Sequence, residues 1–329
     1  MSPRADLAGT ATVASTRAMA TDVTITVAPR HSPESRRPDA LNLDGAIDSA
    51  LEIFHTVERI CTRFDPASPL MLANASARRW RSVPPVLFAA LQEASRAYQR
   101  SDGRFDPRVL GDLVALGYDR SLAFSTGIVA PARPVARPPR GPQRGPWRPR
   151  FRSGTGEVLL GDPVDLGGIG KGLAVRWASQ QLELIAPDFL VEAGGDCYCA
   201  GAAPDGESWR VGVEDPAGGD SALAVLALRD RAATTSSIRL RHWRAGTEAV
   251  HHLIDPRTGR PGGDGLVAVT VVGNDPAAAE VASKVLFLEG RRRIAQRARR
   301  HGVAALWVDV HGEIGMSATM ERYVLWRRA

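Results

Sequence analysis

Hydrophobic residues change their spacing along this chain, and the change fixes the class of fold it can adopt. Ile47, Leu51, Phe54, Val57 and Cys61 recur three to four positions apart, with Asp44 ahead of them as a candidate N-cap, so the spacing predicts a helix from 44 to about 62. A second helix is predicted over Val86 to Gln99, and others around 171–185 and 276–289. Asp22 to Val27 alternates with period two and predicts the first strand. Short apolar runs at Phe189–Val191, Trp209–Val213, Ala222–Leu228, Leu266–Val272 and Ala304–Val308, separated by Gly- and Asp-rich turns, predict more strands. Helices first, then many strands with few helices between them, predict an α+β protein and not a regularly alternating α/β sheet.

The 329 residues are 44% hydrophobic and 24% charged, which excludes fibrous and wholly disordered chains. No stretch reaches the roughly 18–20 apolar residues of a membrane span. The first thirty residues lack an apolar h-region, so the expectation is a cytoplasmic protein with no membrane span. Residues 1–18, small and polar, are expected to form a loose tail ahead of a single domain over 19–329.

A net charge of +6 suggests nucleic acid until the charge is located. Arg133, Arg137, Arg140, Arg144, Arg148 and Arg150 lie in an acid-free Pro/Gly/Arg segment over 130–150, and the remainder of the chain is balanced. That segment reads as a solvated, extended or disordered loop, with an acidic partner as the alternative, and no nucleic-acid partner is expected. Of 42 basic residues only Lys171 and Lys284 are lysines. A compact ammonium fills a space that planar guanidinium cannot, so both positions draw attention. Cys197 and Cys199 sit at strand spacing on one side and are expected in the core.

Several segments carry groups suited to chemistry. Asp165 to Gly172, with four glycines and Lys171, opens a helix; it suits a phosphate at a helix N-terminus or a packing turn. Gly194-Gly195-Asp196 follows a strand, either facing a planar ligand or supplying positive φ. Thr234-Thr235-Ser236-Ser237 reads as a hydroxyl-rich turn. His251-His252-Leu253-Ile254-Asp255-Pro256-Arg257 places two imidazoles, a carboxylate and a guanidinium within reach of each other as base, orienter and anion clamp. Asp275-Pro276 opens the helix that carries Glu280 and Lys284 at i and i+4, which by itself reads as an ordinary surface pair.

Taken together and in this order, these segments resemble the FAD:protein FMN transferase (ApbE) family. Met19-Ala20-Thr21 is similar to the family's Met-Gly-Thr with one change. Cys61-Thr62-Arg63-Phe64 with Ser68 and Asn74 resembles its Ser-Arg-Phe stretch, and Asp102-Gly103-Arg104-Phe105-Asp106-Pro107 its Thr-Asp-Gly-Ala-Phe-Asp-Pro. Trp209 with Glu214-Asp215-Pro216 and His252 through Gly259 complete the series.

The resemblance implies two intimately packed lobes with FAD in the cleft between them. It implies transfer of FMN from FAD to a Ser/Thr hydroxyl of a separate acceptor protein, with release of AMP. His252 would then be the base or hydroxyl orienter, with Asp255 supporting it or accepting the proton directly. Lys171, Thr234 and Thr235 would lie near the phosphates, and Met19, Asp106, Gly194, Gly195 and Asp196 would line the nucleotide site.

The family's magnesium is held by an aspartate, a threonine and a backbone carbonyl. Those positions here match Glu280, Lys284 and Gly168, and an ammonium at the threonine position repels a divalent cation. The resemblance therefore implies weakened or absent magnesium dependence, with a non-catalytic FAD-binding or flavin-handling protein as the alternative function.

Overall fold

A computed structural model describes residues 11–29, 40–122, 144–219 and 221–328. Its centre is an eight-stranded sheet in the order Thr12–Ala18, Thr21–Val27, Phe189–Ala193, Asp196–Ala200, Arg231–Ser237, Leu266–Gly273, Ala304–Asp309 and Ile314–Met316. Every neighbouring pair is antiparallel, as the α+β expectation requires.

Alternation along the strands divides the core into two faces. Val23, Ile25, Phe189 and Val191 point toward the helices Ala40–Cys61 and Gly170–Glu183, packing with Ile47, Phe54, Val175 and Leu182. Further along the sheet, Val269, Val271 and Ala305 point to the same side and meet Leu286 and Phe287 of the helix Pro276–Phe287. The opposite face carries Cys197, Cys199, Val272, Leu306 and Val308, covered by a three-stranded sheet of Trp209–Glu214, Ala222–Leu228 and Val324–Arg327. Trp209 joins the two sheets, donating its indole N–H to the Ala200 carbonyl at 2.9 Å. Each fully buried Phe or Leu in these layers contributes roughly 1.5–3 kcal/mol. Pro69–Ala75, Pro85–Arg100 and a small sheet of Arg81–Ser82, Arg150–Arg152 and Glu157–Leu159 pack around the Gly-rich segment through Leu87, Leu91, Val158 and Leu166.

Four expectations change. The second half of the predicted tail is the edge strand Thr12–Ala18, paired residue by residue with Thr21–Val27. Val13, Ser15 and Arg17 face outward and Thr12, Ala14 and Thr16 the more covered side, so apolar and polar types do not alternate and the strand with one wet side is disguised. Asp44 lies inside the helix, because Ala40–Cys61 begins four residues earlier. Of the Pro/Arg segment, 130–143 lie outside the described residues. Its end, however, is anchored: Trp147 is buried, donates to the Leu160 carbonyl at 2.9 Å, and Arg144 pairs with Asp112. Thr234–Ser237 is no turn. It belongs to the strand Arg231–Ser237 in the middle of the sheet, where small side chains fit between two covered faces.

Candidate active site

Two tight hairpins lie side by side at one end of the sheet. Met19 and Ala20 connect Thr12–Ala18 to Thr21–Val27 with φ of 54° and 59°; Gly194 and Gly195 connect Phe189–Ala193 to Asp196–Ala200 with φ of 56° and 85°. Two successive positive φ values are the two-residue turn that matches strand twist. A Cβ on Gly194 would stand 2.2 Å from the Thr21 hydroxyl, so the glycine lets the hairpins touch. The Met19 amide donates to Glu58 at 2.9 Å, and its methyl end reaches the start of the helix Gly170–Glu183.

Lys171, in the first turn of that helix, pairs with Asp196. Asp196 is 1% exposed, and its other carboxylate oxygen accepts from the Thr235 amide at 3.0 Å. The structure thus brings Lys171, Asp196 and Thr235 together, with the Gly194-Gly195 turn leading into Asp196.

The next residue begins a second network. The Gly172 amide donates to Glu280 Oε2 at 2.8 Å, and Lys284 Nζ donates to Glu280 Oε1 at 3.0 Å. Glu280 is 1% exposed, so this is a buried bridge between two helices and not the surface pair that i,i+4 spacing suggests. Two glycines make it possible. A Cβ on Gly172 would meet the Pro276 carbonyl and Ala277 Cα at 2.7 Å, and one on Gly168 would meet Phe105 at 2.9 Å and the Lys284 stem at 3.6 Å. These glycines serve helix contact first.

His252 lies within electrostatic reach of this cluster. Burial, then the charges of Arg241 and Lys284, hold its imidazole well below the ordinary histidine pKa. Its Nδ1 lies 3.3 Å from the Arg241 carbonyl. A carbonyl only accepts, so Nδ1 carries the proton and Nε2 is left as the basic nitrogen. Burial pushes the Asp165 carboxyl upward, against the pull of Arg63 3.5 Å away and of Arg241 and Lys284. The Arg63 guanidinium in turn sits over the rings of Phe64 and Tyr118.

Three predicted residues occupy other roles. Asp255 does not support His252: Arg257 clasps both its oxygens, at 3.0 and 2.6 Å, with Arg104 3.8 Å away. Burial works to raise the Asp255 pKa, and the Arg257 hydrogen bonds and charge outweigh it and hold it low. Asp106 is likewise clasped by Arg108 at 3.0 and 2.7 Å. Thr234 is fully buried, its hydroxyl without a hydrogen-bond partner, and has no surface to offer a ligand. Sequence reasoning passed over Arg241, Glu58 and Thr21 as site residues, because each enters through a contact between distant segments. The Met19-Ala20-Thr21 motif was the one signal for Thr21. A separate pocket of about 1010 Å3, lined by residues including Arg291, Trp307 and His311, contains none of the candidates.

Both Glu280 oxygens already accept hydrogen bonds and an ammonium stands beside one of them. Magnesium demands near-octahedral oxygen ligation at about 2.0–2.1 Å. Among the described residues no group of three or more His, Cys, Asp or Glu side chains could hold a metal. The residues present do not fit that ion.

Fold and site together define an antiparallel α+β protein in which a helix start and two hairpins gather a paired ammonium, a buried carboxylate and a neutral imidazole. The family model described as the ApbE family matches residues 19–307, and the chain belongs to that family. It is 29% identical over 215 residues to the FAD:protein FMN transferase of Chlamydia pneumoniae, covering 63% of this chain and 64% of that one. Over 152 residues it is 29% identical to the enzyme of that name from Salmonella typhimurium, covering 46% of this chain and 43% of the other. The chain thus spans less than two thirds of the length of these two relatives. With the FAD:protein FMN transferase of Treponema pallidum the match is 28% over 313 residues, 86% of this chain and 82% of the relative. In fold it resembles the ApbE protein of Thermotoga maritima, with a TM-score of 0.76 at 24% identity over 97% of this chain and all of the other. For the flavin transferase ApbE of Vibrio cholerae the TM-score is 0.71 at 22% identity, over 98% of this chain and all of the other.

Proposed function

We propose that this protein is an FAD:protein FMN transferase, moving FMN from FAD to a Ser or Thr hydroxyl of a separate acceptor protein and releasing AMP. The observation that carries the reading is one continuous path: Asp196 to Lys171, Gly172 to Glu280, Glu280 to Lys284, and the Lys284 charge felt by His252. It joins a helix start that carries an ammonium to a partly buried imidazole, the two components that phosphoryl transfer to a hydroxyl needs.

In this reading the acceptor oxygen attacks the FMN-side phosphorus. The bond from that phosphorus to the bridging oxygen breaks, and AMP departs with the bridging oxygen. His252 Nε2 takes the hydroxyl proton. A bound diphosphate offsets the Arg241 and Lys284 charges, so it raises the imidazole pKa toward the value at which a base is effective. Lys171 and Lys284 neutralise the diphosphate. Asp255 and Asp106 shape the site through their arginines.

Two lobes enclosing FAD, in one domain that takes in the edge strand Thr12–Ala18, belong to the same proposal. The described residues contain no helix long and apolar enough to cross a membrane. A cytoplasmic location is part of the proposal. The test incubates the protein with FAD and a peptide carrying Asp-Gly-Ser/Thr-Gly-Ala-Ser/Thr, the family's acceptor pattern, and follows AMP by chromatography. Flavinylated peptide with matching AMP is expected, falling by about 10²-fold or more in His252→Ala. FAD binding without AMP would establish the flavin-handling alternative instead.

A further inference from the structure

We propose that the Lys284 ammonium is a built-in cation, binding and neutralising the FAD diphosphate without a divalent metal. The inference rests on the flavin-transferase reading and names how its anion site is charged.

Four observations converge on Lys284. Its side chain is 15% exposed, so the head is shielded but reachable. One of its three donors is given to Glu280 at 3.0 Å, leaving two N–H donors. Gly168 and its neighbours leave room for the lysine stem, which passes 3.6 to 3.7 Å from where a Cβ would stand. The lysine stem runs alongside Gly168, and its charge is felt at both Asp165 and His252.

Glutamate at 280 completes the device. Its extra methylene, relative to aspartate, lets one carboxylate reach both the Gly172 amide on one helix and Lys284 on its own. The carboxylate that would ligate a metal instead fixes the ammonium. Lys284 is also one of two lysines kept among 42 basic residues, and the other, Lys171, begins the helix that Glu280 caps. A guanidinium could not take the compact position beside Gly168.

The experiment titrates the purified full chain with FAD by flavin fluorescence, in EDTA and in excess magnesium, and separately with Mn2+ by electron paramagnetic resonance. The wild type should bind FAD with the same affinity within about twofold in both media, and should show no tight Mn2+ site. Lys284→Met with Glu280→Gln, which removes both buried charges together and so preserves the fold, should weaken FAD binding by about tenfold or more in EDTA. Lys284→Thr with Glu280→Asp should create a Mn2+ site and make FAD binding magnesium-dependent; circular dichroism verifies that each variant is folded. A tight Mn2+ site in the wild type, magnesium-dependent FAD binding by the wild type, or unaltered FAD affinity in the folded Met/Gln variant would overturn the proposal. Wild-type failure to bind FAD in either medium would sink the flavin reading and the diphosphate role with it. The Mn2+ arm would still decide, independently of flavin, whether lysine has replaced a metal.

Discussion

The Gly172 amide donates to Glu280 Oε2 at 2.8 Å, joining two helices across 108 residues of sequence. The bond exists because Gly172 has no side chain where Pro276 and Ala277 come closest. The same contact sets Lys284 beside the Gly-rich segment, so helix packing and site charge are one feature.

Gly172→Ala should therefore act on both. Its Cβ would stand 2.7 Å from two backbone atoms that cannot rotate away, so the helices must separate. Urea denaturation should show a loss of about 1–3 kcal/mol, with weaker FAD binding. Unchanged stability would mean the helices can part freely.

Lys171 and Asp196 offer a sharper separation of stability from function. Lys171→Met alone leaves a carboxylate 1% exposed without its cation, an expected cost of about 3–5 kcal/mol. Adding Asp196→Asn removes that charge while keeping an acceptor for the Thr235 amide. The double variant should regain most of the stability but not FAD affinity. Recovery of both in the same titrations would remove Lys171 from the anion site.

Ala20 holds φ of 59° in a turn where the family motif has glycine. An L-residue in this left-handed conformation is strained by roughly 1–2 kcal/mol, part of which glycine gives back through its freer unfolded chain. Ala20→Gly should raise stability by about 0.5–1 kcal/mol, seen as a higher melting temperature. A lower one would show that Ala20 makes contacts worth more than its strain.

Stability should also fall in mild acid. Burial lowers His251 to about 4, and burial with Arg241 and Lys284 lowers His252 well below 6.5. The unfolded chain therefore takes up protons that the native protein refuses. The stabilisation is complete above pH 6.5 and is lost as pH falls toward 4, by up to about 1.4 kcal/mol per pH unit for each histidine. Urea melts between pH 7 and 5 should show that slope, reduced in His251→Gln. A flat profile would mean the rings are solvated in the native state.

Much of the architecture was legible because strong periodicity survives folding. The 3.6-residue spacing of Ile47 to Cys61 and the apolar runs at Leu266–Val272 and Ala304–Val308 became the helix and strands expected of them. The Gly194-Gly195 turn and the Asp275 cap were local chemistry and were equally readable: the Asp275 carboxylate accepts from the Ala278 amide at 2.7 Å. Arg231–Ser237 was not readable, since hydroxyls and alanines signal a turn until both faces of the strand are covered. Thr12–Ala18 was missed for the opposite reason, being an edge strand with too little apolar surface to show.

The sequence by itself determined the residue types at the site, the class of fold and the oddity of two lysines in an arginine-rich chain, because these are properties of composition and local spacing. Tertiary structure decided the partners. Arginines took Asp255 and Asp106, and Thr234 was sealed inside the sheet. Glu280 reached across to Gly172 and held Lys284 in place. Such pairings depend on distances between segments far apart in the chain, and only packing sets those distances.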